Sequence, residues 1–60
     1  MFYAFESNGK LRHGEATEVE VQRMAMLYET EIQEWSHDIT HDDARPIGWY
    51  DHNGNRHEGI

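Results

Sequence analysis

The chain has 60 residues, no cysteine, and 12 acidic against 5 basic side chains, a formal net charge of -7. Without cysteine there are no disulfides and no thiolate metal sites, and the acidity argues against a direct binder of nucleic-acid phosphates. No apolar run is long enough for a signal peptide or a membrane span, so the expectation is a soluble, cytoplasmic protein with no membrane partner. A chain this short forms one domain, 1–60, and buries only about 60% of the surface that its unfolded form exposes.

A hairpin is predicted over 2–14, where Phe5-Glu6-Ser7-Asn8-Gly9-Lys10-Leu11 places Asn-Gly between aromatic and strand-forming residues. These two residues accept positive φ at the least steric cost. A two-residue turn would set Phe5 opposite Arg12 and Glu6 opposite Leu11, mixing apolar and charged groups on both faces. A three-residue loop, Ser7-Asn8-Gly9 with a glycine bulge, pairs Glu6 with Lys10 and Phe5 with Leu11 instead. The second register is the expected one, with Tyr3, Phe5, Leu11 and His13 turned to the core.

A helix is predicted over 17–36. Thr17-Glu18-Val19-Glu20 reads as a capping box, and Glu18 and Glu20 suit the positive end of the helix dipole. At about 100° per residue, Val21, Met24, Ala25, Tyr28, Ile32 and Trp35 share one arc, the signature of a helix lying on a core. Residues 37–46 are polar and end at Pro46, so they are expected to loop back to the sheet.

A second hairpin is predicted over 47–59, around Asn53-Gly54. The three-residue rule pairs Asp51 with Asn55, Tyr50 with Arg56 and Trp49 with His57, and turns Trp49, His57 and Ile47 inward. The fold class is therefore α+β, with order β-β-α-β-β: a small antiparallel sheet of two hairpins packed on one amphipathic helix.

The chemistry-bearing residues are sparse. His37 and His41 stand four apart among Asp38, Asp42 and Asp43, but a metal site needs three or four converging ligands, and the segment reads as a solvated loop. His13 and His57 are expected at the core edge, bonded to backbone. Asp51-x-Asn53-x-Asn55 has the opening spacing of a calcium loop without its later glycine and glutamate, and a turn accounts for it. Only Ser7 and Ser36 could serve as hydroxyl nucleophiles of the serine type, and neither lies in an elbow motif. The expectation is a non-enzymatic protein with no catalytic residues, no metal and no cofactor.

Function is sought on the helix face opposite the core stripe. Val19 and Met26 lie one heptad apart there, with Arg23, Leu27, Thr30 and Glu34 around them, and apolar groups in that position suggest a contact surface. The acidity is segregated: nine carboxylates and Arg23 as the one lysine or arginine lie between Glu15 and Asp43. Two readings follow. The first is an interaction module that binds a protein partner, or its own copy as a homodimer, through Val19, Arg23, Met26, Leu27, Thr30 and Glu34. The second is a nucleic-acid mimic whose carboxylates occupy the groove of a basic DNA-binding protein. In size, acidity and lack of catalytic groups the chain is similar in type to accessory proteins of bacteriophages, many of which bind a host protein.

Overall fold

In the computed structural model, which describes residues 1–59, the chain runs β1 (Phe2–Ser7), β2 (Lys10–Glu15), α1 (Glu18–Leu27), β3 (Ile32–Trp35), β4 (Pro46–Tyr50) and β5 (Arg56–Glu58). The strands form one antiparallel sheet in the order β2-β1-β3-β4-β5, with the helix on one face. The fold is thus the α+β arrangement expected, with a fifth strand inserted between the hairpins. That strand is cut from the C-terminal part of the predicted helix.

The helix begins as its sequence requires. Glu20 N–H donates to Thr17 Oγ1 at 3.2 Å, while Thr17 N–H donates to Glu20 Oε1 at 3.0 Å, so the capping box is complete. It ends ten residues later rather than at 36, because Glu29 takes a left-handed conformation, φ 51°. Glu29 N–H then bonds Met26 O at 3.3 Å and Thr30 N–H bonds Ala25 O at 3.2 Å, the paired bonds of a Schellman stop. The apolar arc gave no sign of this. Ile32 and Trp35 continue its helical spacing, yet they belong to a strand whose alternation is only four residues long.

The first hairpin closes with two residues, not three. Asn8 (φ 54°) and Gly9 (φ 73°) both have the positive φ of a type I′ turn, and Ser7 pairs with Lys10, Glu6 with Leu11 and Phe5 with Arg12. Face mixing, which counted against this register, is tolerated because β2 is an edge strand. Arg12 shares the helix side with Phe5 and sets its guanidinium carbon 5.5 Å from the centre of the Tyr28 ring, while Leu11 is exposed on the opposite side. His13 likewise faces away from the helix.

The second hairpin keeps the expected pairs, Tyr50 with Arg56 and Trp49 with His57, but with the faces exchanged. Tyr50 is fully buried on the helix side, and Trp49 and His57 stack on the other, ring centres 4.1 Å apart. Ile47 is part-exposed where the β3–β4 register slips. Asp51 organises the loop: its Oδ1 accepts from the N–H groups of Asn53 (2.9 Å) and Asn55 (3.0 Å), its carbonyl accepts from Gly54 N–H (2.9 Å), and its Oδ2 lies 2.8 Å from His57 Nε2.

The core between helix and sheet consists of Phe5, Val21, Ala25, Ile32 and Tyr50, with Met1, Tyr3, Ala16 and Met24 against it. Val21 and Ala25 are four apart, so a helix this short presents one buried row. Across the same face, Arg56 reaches from β5 over Gly48 of β4 to Glu34 of β3, Nε to Oε1 2.9 Å. Gly48 leaves the room: a Cβ there would lie 2.9 Å from the guanidinium carbon and 3.0 Å from His57 O.

Three outcomes are expected. Glu29→Gly should stabilise the protein by about 1 kcal/mol, because it removes a left-handed side-chain clash and a negative charge at the negative end of the helix dipole; urea denaturation measures it. Gly48→Val should destabilise by about 1–3 kcal/mol through overpacking against Arg56, read from the same curves. Hydrogen bonds from His57 and then from Asn55 hold the Asp51 carboxyl below its ordinary range. Its stabilisation is therefore present above the unfolded carboxylate pKa and lost as pH falls below about 4 through the lowered folded value. The urea midpoints of wild type and Asp51→Asn should differ at neutral pH and converge in acid.

Candidate functional site

The outward side of α1 carries three of the exposed large apolar side chains, and Leu11 on the opposite sheet face is another. With Val21 and Ala25 facing the sheet, Val19 is left 51% exposed, Met26 49% and Leu27 76%. Arg23 is exposed between them, one turn from both Val19 and Leu27. These four residues occupy the helix as expected.

The remaining two members of the predicted surface do not. Thr30 lies beyond the Schellman stop, half-buried, with its N–H bonded back to Ala25. Glu34 belongs to β3, its side chain only 15% exposed and paired with Arg56, so it cannot flank the helix patch. Both were placed on the helix by a period that the left-handed Glu29 interrupts.

Met26 has two roles in the patch. A Cβ at Gly54 would meet its Cγ and Cε at 3.6 Å and Gln22 O at 3.5 Å, so the β4–β5 loop rests on this flank of the helix. Half of the Met26 side chain anchors that loop, and the other half continues the exposed row toward Val19 and Leu27. Gly54 is buried, and its φ of 83° is what calls for glycine, since a Cβ there would meet the helix only at ordinary contact distance. On the other flank, Tyr28 sets its ring 5.2 Å from that of Phe5 and beneath Arg12, a contact hidden from the sequence by the register it assumed for β2.

The surroundings are acidic. Of the nine carboxylates between Glu15 and Asp43, Glu34 forms an ion pair with Arg56 and Asp38 lies beside His13 (Nδ1 to Oδ2 3.3 Å), and none of the other seven has a basic partner among the described residues. Glu20 is held below its ordinary range by the hydrogen bonds of Thr17, and Asp38 by those of Thr40 and then His13. Both therefore keep their charge into mild acid.

His13 and His57 take carboxylate partners rather than the backbone bonds expected of core-edge residues, while His41 Nδ1 accepts from the Asp43 N–H at 3.0 Å. His13 meets Asp38, and His57 meets Asp51 while stacked on Trp49. His37 and His41 stack on each other, ring centres 4.5 Å apart, in the loop that Ser36 ties closed: Ser36 N–H donates to Arg45 O at 2.9 Å and Arg45 N–H donates to Ser36 Oγ at 3.1 Å. Among the described residues no three histidine or carboxylate side chains converge as metal ligands, and no helix is long and apolar enough to cross a membrane.

A second surface lies on the sheet face away from the helix. Ala4, Leu11, Gln33, Trp35 and Ile39 line an open depression of about 560 Å³ there, with Glu6 and Glu31 among its edges. The Trp35 Nε1 donor is buried without a partner among the described residues. The sequence assigned Trp35 to the helix and Leu11 to the core, so this depression had no counterpart in its reading.

Comparison with protein-family models, with curated proteins and with solved structures finds no match to this chain.

Proposed function

We propose that this protein is a small, acidic, non-enzymatic interaction module that docks the outward face of α1 on a protein partner. The observation that carries the reading is the exposed row Val19, Met26 and Leu27, the last 76% exposed, on a helix whose neighbouring carboxylates are left unpaired. Burying a leucine side chain that water now surrounds contributes about 1.5–3 kcal/mol, enough to drive association if the polar rim is matched. The rim decides the kind of partner. Glu18, Glu20, Glu29 and Glu31 would oppose themselves across a two-fold helix contact, whereas a basic rim around an apolar centre would be attracted. Charge therefore favours a basic protein over a second copy of this chain.

Leu27→Glu should weaken that docking by about 2 kcal/mol or more, roughly thirtyfold in Kd, and Val19→Glu by somewhat less, while both variants stay folded because both positions face water and the charge added at the helix C-terminus in Leu27→Glu costs only about 0.3–1 kcal/mol. The measurement is titration of wild type and variants against partners captured from the native host, with light scattering across concentrations to separate self-association. Unchanged affinity in both variants would remove the helix face from the interface.

A second reading, a nucleic-acid mimic, is favoured by the seven unpaired carboxylates. Under it Glu18→Gln, Glu29→Gln and Glu31→Gln should cost more affinity than Leu27→Glu, and binding should weaken steeply with added salt. Salt-insensitive binding would count against it.

A further inference from the structure

The two Asn-Gly turns are alike in sequence and unlike in chemistry. At an Asn-Gly step the backbone nitrogen of glycine can attack the asparagine side-chain carbon, Cγ. A new C–N bond closes a five-membered succinimide, the Cγ–NH2 bond breaks, and ammonia leaves with the proton shed by the amide. Water then opens the ring at one of its two carbonyls, leaving aspartate or isoaspartate, with no change of oxidation state. The reaction needs an accessible glycine nitrogen and a backbone free to swing the side chain onto it.

We propose that Asn8 is a site of spontaneous deamidation in the folded protein and that Asn53 is protected. At the first turn, Gly9 is exposed, nothing lies within 4 Å of the position a Cβ would take, and neither its N–H nor the Asn8 side chain has a hydrogen-bond partner among the described residues. The turn caps β2, an edge strand, so opening it disturbs the end of a single ladder. At the second turn each requirement is blocked. The Gly54 N–H, which would be the attacking group, donates to Asp51 O at 2.9 Å. Asn53 and Asn55 N–H groups are both held by Asp51 Oδ1 at 2.9 and 3.0 Å, and Gly54 is buried against Gln22 and Met26.

The products differ in consequence. Aspartate at position 8 adds a charge to an exposed turn. Isoaspartate routes the main chain through Cβ and Cγ, which lengthens a two-residue connection and releases the Ser7–Lys10 pairing that it fixes.

Incubation of the folded protein in mildly alkaline buffer at physiological temperature, followed by peptide mapping that resolves aspartate from isoaspartate, tests the assignment. Asn8 should convert at least about tenfold faster than Asn53, because attack at Gly54 waits for the loop to open. In concentrated urea the two sites should convert at similar rates. Asp51→Ala should accelerate Asn53 and leave Asn8 unchanged. Comparable rates in the folded state, no conversion at Asn8, or a rate ratio that persists in urea would each overturn the proposal.

Discussion

The left-handed turn at Glu29 is the constraint on which the architecture rests. It stops the helix at Leu27 and releases Ile32–Trp35 to become β3, and β3 is the strand that receives β1 on one side and β4 on the other. Had the helix run on to residue 36, the strand that joins the two hairpins here would not exist. Ile32 would also have been a helix residue, whereas it is one of the fully buried side chains that tie Phe5, Val21, Ala25 and Tyr50 into one core. A non-glycine residue in that conformation costs free energy, and the burial of Ile32 and two added strand ladders offset it.

The central strand also sets the electrostatics. By carrying Glu34 to the helix-facing side of the sheet, β3 provides the carboxylate that Arg56 reaches across Gly48, which takes one of the few cations out of circulation. The helix and the α1–β3 connection are left with carboxylates and Arg23. An exposed apolar row within a field of one sign is the basis of the proposed docking on a partner of the opposite sign. Shape and charge thus point the same way on one face of α1, while the aromatic depression across the sheet offers a surface of different character.

Several elements were legible from residues alone because their signals are local. The capping box at Thr17 is made by groups three residues apart. The second hairpin's pairs follow from loop length, and the polar run ending at Pro46 behaves as a connection. Other elements were not, because each depended on a distant partner. Arg12 sits beside Phe5 with its guanidinium over the ring of Tyr28, which arrives from the end of the helix. Trp49 and Tyr50 exchange faces because the buried position opposite Ile32 accepts Tyr50. Of the six residues first assigned to the contact surface, Val19, Arg23, Met26 and Leu27 stand on the helix, while Thr30 and Glu34 were misplaced by a period that extended past its own stop.

The sequence by itself determined where the chain turns, where the helix begins, and that negative charge gathers in its middle, because capping, positive-φ tolerance and net charge belong to neighbouring residues. Only the tertiary structure decided where the helix ends, which face of each hairpin is buried, and how two Asn-Gly steps of the same sequence come to differ. One is left open at a sheet edge, and the other is pinned by Asp51 beneath the helix. The reason is physical: a strand's two faces are equivalent until something covers one of them, and what covers them here comes from far along the chain.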